Sequence, residues 1–501
     1  MAIRRVLIAN RGEIAVRIVR TLREMDLTSI AIFSDPDREA YHVLLADEAY
    51  PVGPGPSRES YLDLEKVIDL AKRVRADAIH PGYGFFAENA AFARACRDNG
   101  IVFIGPTPET IEGLGDKLAA RAAAKRAGVP MMPASEGALA DLAQARAAAQ
   151  QIGWPVMLKA AAGGGGKGMR VVRSDAELNA AWELTRGEAR ASFGDDRVYL
   201  ERYIERPRHV EAQILADANG HVVFLGEREC SVQRRHQKLL EETPSPAFDE
   251  KTRTAFGEAA IAIAKEVGYR NAGTVEFILD EHGRFYFLEV NTRLQVEHPV
   301  TEEVTGLDLV AEQLRVAEGL PFSFGDTAPA PRGWSMEARI IAEDAAHNFM
   351  PSVGRIERIR FPQGPGVRND AGIYRGYTIP VFYDSLLSKL VTWGRDREQA
   401  RRRMLRALDE FVLEGPRTNI SFHRWLLAHP EFAAGHLSTR FIEEHFTPDA
   451  LAPAPESTQV ALLAAALHAR EEYDRVSVAN GAGESPRRTW RWSAPVPGRS
   501  R

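Results

Sequence analysis

The sequence predicts a mixed fold, α/β at its amino-terminal end and α+β beyond, and three observations carry that expectation. Apolar strands alternate with amphipathic helices from Val6 to Ile104. A glycine run, Gly163 to Gly166, lies between two strands, and Gly273 to Thr301 sets two apolar strands around a polar turn. Alternating strand and helix imply a parallel sheet covered by helices, whereas a short turn between strands implies a hairpin.

In order along the chain, Val6 to Ala9 reads as a buried strand and Asn10-Arg11-Gly12 as a turn. Ile14, Ile18, Val19, Leu22 and Met25 then recur at helical spacing before a second strand at Ser29 to Phe33. A helix from Tyr61 to Val74, a strand at Ala78 to His80, a helix from Asn89 to Asp98 and a strand at Ile101 to Ile104 continue the pattern. Gly82 to Ala87 fits GxGxxA, but it follows the wrong strand for a dinucleotide fingerprint and reads as a tight turn. A nicotinamide oxidoreductase would rest on this segment alone.

A helix from Lys117 ends at Gly128, and Pro130 and Pro133 mark a boundary or hinge. A helix from Leu139 to Ile152 precedes the strand Pro155 to Ala160, the glycine run with Lys167 and Gly168, and a strand at Met169 to Arg173. Walker spacing is missing, since Ala161 holds the first glycine's place and Gly168 follows Lys167. Between strands the run reads as a flap whose N–H groups close over phosphates, with Lys159 and Lys167 adding positive charge; the plainer alternative is a surface hairpin.

Val198 to Ile204, Val210 to Asp217 and His221 to Leu225 read as strands. Glu229 to Glu242 then packs Arg234, Arg235, His236 and Lys238 into five residues. Unbroken strand alternation sends Gln233, Arg235 and Gln237 to one face and Arg234, His236 and Lys238 to the other, so one face could line an anion pocket. The alternative is a solvated charged face. After a helix from Lys251 to Val267 comes the hairpin. With His282-Gly283 as a two-residue loop, Asp280 faces Phe285, Glu276 lies across from Glu289, and Asn291 shares the face of Glu289. Paired acids repel unless neutralised, and hard oxygen ligands suit a Mg²⁺ that also holds phosphates. Phe277, Leu279, Phe287 and Leu288 argue against a merely solvated strand face.

From Trp334 an α+β region follows, with strands at Ser335 to Asp344 and Gly354 to Arg360, a hairpin-rich patch at Tyr374 to Phe382, and helices at Arg397 to Phe411 and Thr418 to Ala428. Beyond it, Pro448 to Pro455 reads as a linker, Val460 to Ala469 as a short apolar helix, and Asn480 to Arg501 as a disordered tail. The 501 residues, 45% hydrophobic and 27% charged, suffice for about three soluble domains. The first apolar run is too short for a signal sequence, and no segment calls for a membrane. A net charge of −5 with interspersed arginines argues against nucleic acid as a partner. Cys96 and Cys230 lack metal-ligand spacing, which fits the cytoplasm.

The segments ANRGEIAVR (Ala9 to Arg17), HPGYGFFAEN (His80 to Asn89), AAAGGGGKGMR, RHVEAQI (Arg208 to Ile214), ECSVQRRHQK and EVNTRLQVEHPVTE (Glu289 to Glu302) resemble those of the biotin carboxylases, members of the ATP-grasp superfamily. The resemblance covers about Met1 to Phe446. It implies a Rossmann-like amino-terminal domain (1–113), an ATP-grasp domain (114–330) with a mobile lid at about 131–204, a carboxy-terminal domain (331–446) and a homodimer. Residues 447–501 remain as linker, short helix and tail. Carried over by position, Lys117 and Lys159 contact ATP phosphates and Gly165 and Gly166 close on them. Glu201, Arg202, Tyr203 and Ile204 border the adenine, and His209, Gln233 and His236 sit at the nucleotide. Glu276, Glu289 and Asn291 hold Mg²⁺ or Mn²⁺. Bicarbonate is held by Lys238, Arg293, Gln295 and Val296, Glu297 is the general base, and Arg339 supports a biotin enolate.

The same resemblance implies partners: a biotin carboxyl carrier protein and carboxyltransferase subunits, as in an acetyl-CoA carboxylase or in a propionyl-, methylcrotonyl- or pyruvate-type carboxylase. Biotin is then a carrier-bound substrate and not attached to this chain, which has no lysine after Lys389. Another ATP-grasp carboxylate ligase would share the lid and the acids but not the set Lys238, Arg293 and Glu297. A nucleotide-binding protein without catalysis would lack Glu297 or the paired acids.

Overall fold

The amino-terminal alternation folds into a five-stranded, all-parallel sheet in the order Glu48–Gly53, Thr28–Ser34, Arg5–Ile8, Ala78–His80, Val102–Phe103. The computed structural model describes residues 2–162, 168–452 and 455–480. Val6, Leu7 and Ile8 on the central strand are fully buried, because apolar residues facing both ways are needed where helices cover both sides. At the carboxyl edge of this sheet Asn10 donates from Nδ2 to the carbonyls of Pro81 and Tyr83, each at 2.7 Å. Gly82 there has φ of +62°, and a Cβ would lie 3.0 Å from Asn10 Nδ2, so the GxGxxA segment is a tight turn. The edge strand Glu48–Gly53 was not expected. It is half-exposed and contains Pro51, so it carries little apolar signal.

A small lobe follows, in which Val156–Ala160 pairs antiparallel with Met169–Val172 and with Val198–Arg202. Helices Leu142–Ile152 and Asp175–Phe193 cover it, and Ala149, Leu158, Trp182 and Leu200 meet in its core. The second helix was also not expected, although Leu178, Ala181, Trp182, Thr185 and Ala189 recur at helical spacing and are its buried face. The lobe returns to the main body where Lys117 N–H donates to Ala161 O at 3.1 Å. Gly163, Gly165, Gly166 and Lys167, expected in a phosphate flap, lie outside the described residues.

The largest element is an eight-stranded antiparallel sheet. Its order is Phe285–Asn291, Asn271–Leu279, Arg208–Ala216, Val222–Arg234, Gln237–Thr243, Trp334–Ile341, Leu386–Gly394, Val367–Ala371. It runs across residue 330, since Gln237–Thr243 pairs directly with Trp334–Ile341. Two expectations about its turns are corrected. First, Asp280 does not face Phe285: Asp280 N–H bonds Arg284 O, Leu279 pairs with Phe285, and the loop is Glu281-His282-Gly283. Asp280 Oδ1 caps this loop by accepting from the N–H groups of His282 and Arg284, both at 2.9 Å. A register shift between Glu276 and Phe277 then restores the pairing of Glu276 with Glu289, so the expected neighbours are right although the expected turn is not.

Second, the basic run is not one strand. Arg235 and His236 have φ of +50° and +66° and form a two-residue turn, so Gln233 pairs with Lys238 and both face the same way. Alternation had placed them on opposite faces.

The helix Glu250–Glu266 closes one side of this sheet with Phe256, whose ring lies 4.5 Å from that of Phe277 and 5.0 Å from that of Phe248. In the second unit, Leu451–Arg501, the structure describes a helix, Pro455–Asn480, longer than expected. No helix among the described residues is long and apolar enough to cross a membrane.

Phe256→Ala is expected to cost about 3–5 kcal/mol, the usual price of removing a fully buried ring. Denaturant unfolding measures it, and a loss under about 1 kcal/mol would show that this aromatic cluster does not anchor the helix.

Candidate active site

A cavity of about 810 Å³ opens between the carboxyl edge of the parallel sheet and one face of the large sheet. Strand register explains its chemistry. Glu289, Glu276 and Glu211 stand in a row across three neighbouring strands, and Arg228 on the next strand faces Glu211. Like charges in a row are unfavourable, so cations must lie over them.

Two cations do. Arg228, fully buried, donates to Glu211 at 2.5 Å, Gln213 at 2.6 Å, Thr301 at 3.0 Å and Thr274 at 3.1 Å. Lys238 Nζ reaches Glu211 at 2.6 Å, Glu276 at 2.9 Å and Glu297 at 2.6 Å. Burial opposes its charge, but the three carboxylates outweigh burial and raise the ammonium well above its ordinary range.

Glu297 immediately precedes the helix His298–Thr305, where Pro299 fits the first turn, and its side chain makes no capping bond. It is fully buried, accepting from Lys238 on one oxygen and from Arg339 Nη2 at 2.9 Å on the other. Burial would raise its pKa, yet Lys238, Arg339 and Arg228 overcome that and hold the carboxyl well below the usual range. Glu297 does not itself form the cavity wall; Lys238 and Arg339, which cover it, do. Cys230 Sγ lies 3.8 Å from it. For Glu276 burial is likewise opposed by Lys238 and His209, and its carboxyl is held below the usual range.

The other expected residues separate into two groups. Lys117, Lys159, His209, Gln233, His236, Glu276, Glu289, Asn291, Arg293, Gln295 and Val296 line the cavity together with Lys238 and Arg339. Lys117 Nζ lies 3.6 Å from Glu289, and His209 Nε2 lies 2.9 Å from Glu276. Burial lowers the pKa of His209, but Glu276 outweighs it and the net shift is upward; at His236, exposed on the turn, partial desolvation shifts the pKa downward. Glu201 pairs instead with Lys159 and Arg121. Arg202 donates to the carbonyls of Ile152 at 3.1 Å and Gly153 at 3.2 Å, so its side chain is turned to the neighbouring helix end, and neither it nor Tyr203 nor Ile204 lines the cavity.

Arg293 and Glu297, four residues apart, do not pair. Arg293 donates to Glu88 at 2.9 Å, Gln295 at 2.8 Å and Asn291 at 3.0 Å. Glu88, from the amino-terminal layer, also accepts from Thr292 N–H at 3.1 Å. Sequence reasoning assigned it no role, nor any to Glu211, Arg228 or Glu241. Alternation within RHVEAQI places Glu211 on the face of His209, and that was the available signal. Arg339 donates from Nε to Glu241 at 2.6 Å, and its own carbonyl is gripped by Asn419 Nδ2 at 2.8 Å and His423 Nε2 at 2.9 Å.

Ligand atoms of His209, Glu211 and Glu276, and of Glu211, Cys230 and Glu297, also lie close enough to share an ion. Lys238 already neutralises the acids of both sets. Glu276, Glu289 and Asn291 offer oxygen donors at the cavity wall, a set that fits Mg²⁺.

Lys238→Met is expected to cost about 3–5 kcal/mol near neutral pH, because it strands buried carboxylates. The depressed Glu297 contributes stability that is present above the unfolded carboxylate pKa of about 4.3 and lost as pH falls through its lower folded value. The deficit of the variant should therefore be larger at about pH 7 than at about pH 3. Urea unfolding at both values measures it; an equal or reversed difference would contradict the compensation.

Family models match the chain along most of its length. "Biotin carboxylase, N-terminal domain" matches residues 2–111, "Carbamoyl-phosphate synthase L chain, ATP binding domain" residues 116–324, and "Biotin carboxylase C-terminal domain" residues 337–444. Biotin carboxylase 1 of Bacillus subtilis is 50% identical over 444 residues, covering 88% of this chain and 99% of the relative. The propionyl-CoA carboxylase alpha chain of Ruegeria pomeroyi is 45% identical over 508 residues, covering 97% of this chain and 74% of the relative. The biotin carboxylase domain dimer of Hydrogenobacter thermophilus 2-oxoglutarate carboxylase, solved with MgADP, ADP and bicarbonate, superposes with a TM-score of 0.87 at 45% identity, covering 91% of this chain and all of that one. With the fold, the cavity and these relatives in agreement, the chain belongs to the biotin carboxylase family.

Proposed function

We propose that this chain uses ATP and bicarbonate to carboxylate biotin borne by a separate carrier protein. The observation that carries the reading is Glu297, an ionised carboxylate buried behind two cations of the cavity wall, with Arg293 and the acids Glu276 and Glu289 on the same wall.

Bicarbonate is a weak nucleophile until its proton is removed. Its oxygens would compete with Glu297 for Lys238 and Arg339, freeing the carboxylate to take that proton. Lys238 and Arg293 then balance the dianion, with Gln295 and the Val296 backbone beside it. Attack of a bicarbonate oxygen on the γ-phosphorus of ATP releases ADP and forms carboxyphosphate. Lys117 and Lys159 spread the charge of the transferring group. Glu276, Glu289 and Asn291 would hold Mg²⁺, which when bound supplies further neutralisation of the phosphates.

Cleavage of carboxyphosphate yields carbon dioxide and phosphate. The phosphate takes the proton from biotin N1, Arg339 steadies the enolate-like ureido oxygen, and N1 attacks the carbon dioxide. His209, Gln233 and His236 lie beside the nucleotide in this reading, and Glu201, Arg202, Tyr203 and Ile204 border its base with the lobe closed over it. Gly165 and Gly166 close on the phosphates. The chain works as a homodimer in the cytoplasm, with a biotin carrier and a carboxyltransferase as partners.

Glu297→Gln tests the assignment. Bicarbonate-dependent ATP turnover is expected to fall by about 10²- to 10⁴-fold with ATP binding nearly intact. Turnover close to the parent's would remove Glu297 from the mechanism.

A further inference from the structure

Beneath the cavity wall, Glu241 and Glu337 face each other directly across the strands Gln237–Thr243 and Trp334–Ile341, and neither is exposed. Glu241 gives one oxygen to Arg339 Nε at 2.6 Å; its other oxygen has no hydrogen-bond partner, and neither oxygen of Glu337 has one. The surrounding cations are engaged elsewhere. Lys238, on the same strand as Glu241, serves Glu211, Glu276 and Glu297. Lys389, on the strand beyond Glu337, donates to Val296 O at 2.9 Å and lies 3.5 Å from Glu13 of the first helix. Arg339 is divided between Glu241 and Glu297.

The packed helix His298–Thr305 brings no free cation. The pKa of His298 is pushed well down, by burial first and then by Lys389, Arg17 and Arg368, so the ring is neutral. Glu302 is held by Arg17 and Arg368, and Asp370 on the outer strand is held by Arg368. Two adjacent buried carboxylates with three unpartnered oxygens do not both stay ionised.

We propose that Glu241 and Glu337 share one proton, and that this proton keeps Arg339 divided between Glu241 and Glu297, which makes Glu337 a positioning residue for that arginine. The inference rests on the reading under Proposed function. Burial, opposed by Arg339 and reinforced by Glu297, raises Glu241 to about 7, and burial, opposed by Lys389 and reinforced by Glu241, raises Glu337 well above the usual carboxylate range. The sign follows: both groups are neutral-biased in the folded chain, and the shared proton leaves as pH rises through the raised value. Its loss sets a second negative charge against Arg339 and draws the guanidinium toward the Glu241–Glu337 pair, away from the cavity wall where it is proposed to steady the biotin ureido oxygen. Carboxylation of biotin then declines on an alkaline limb.

Two measurements test this, and the first needs no turnover. Infrared spectra of the whole chain without ATP or bicarbonate should show a protonated-carboxyl stretch that persists above about pH 6, beyond the ordinary carboxylate range. Glu13, likewise buried with both oxygens unpartnered and raised to about 7 by burial, adds a stretch of its own, so Glu337→Gln and, separately, Glu241→Gln should each remove the same component of that band in a parent-minus-variant difference spectrum. The absence of the band, or a difference spectrum without that component for either folded variant, overturns the shared proton whatever the enzyme's activity. In the second, kcat/KM for biotin is followed against pH in Glu337→Gln, whose amide mimics the neutral acid. The alkaline limb should move up by about one pH unit or more, giving about tenfold more turnover at a pH on the parent's limb. An unmoved limb with that component removed overturns the positioning role, while loss of all bicarbonate dependence in the parent would instead sink the proposed function.

Discussion

One ammonium group under three buried carboxylates is the constraint on which the site depends. Strand register aligns Glu289, Glu276 and Glu211, and the start of a helix delivers Glu297 to the same place. Without Lys238 and Arg228 this arrangement would carry several uncompensated charges out of water, each costing several kcal/mol. With them, Glu297 stays ionised although no part of it reaches solvent. The two-residue turn at Arg235-His236 is what aims Lys238 back over the sheet, which explains two non-glycine residues with positive φ in succession.

The amino-terminal layer completes the site. Glu88 orients Arg293, and Arg17 reaches across to Glu302 at 2.7 Å and Asp308 at 2.8 Å. Lys389 joins Glu13 of that layer to the Val296 carbonyl of the large sheet's loop. The Arg17–Glu302 and Lys389–Glu13 pairs are buried, Glu88 is exposed, and together they couple the parallel sheet to the residues proposed to hold bicarbonate.

Much of this was legible in the residues. Period-two and helical apolar spacing located the parallel sheet, the carboxylate hairpin and most helices within a few positions. Legibility failed where the determining feature was not periodic. The loop at Glu281 to Gly283 was read one residue short because Asp280 turns inward to cap it, and a register shift then hid the error. The basic run looked like a strand because Arg and His are not common at positive φ. Glu88, Arg228 and Glu241 went without roles because an ion pair is defined by a partner 17 to 205 positions away, which spacing along the chain does not express.

The most direct test of the account follows oxygen. If Glu297 activates bicarbonate to attack ATP, heavy-oxygen-labelled bicarbonate must transfer one labelled atom to the phosphate released during biotin-dependent turnover. The account expects that label in phosphate in proportion to carboxybiotin formed. Phosphate carrying only solvent oxygen, with carboxybiotin still produced, would contradict it.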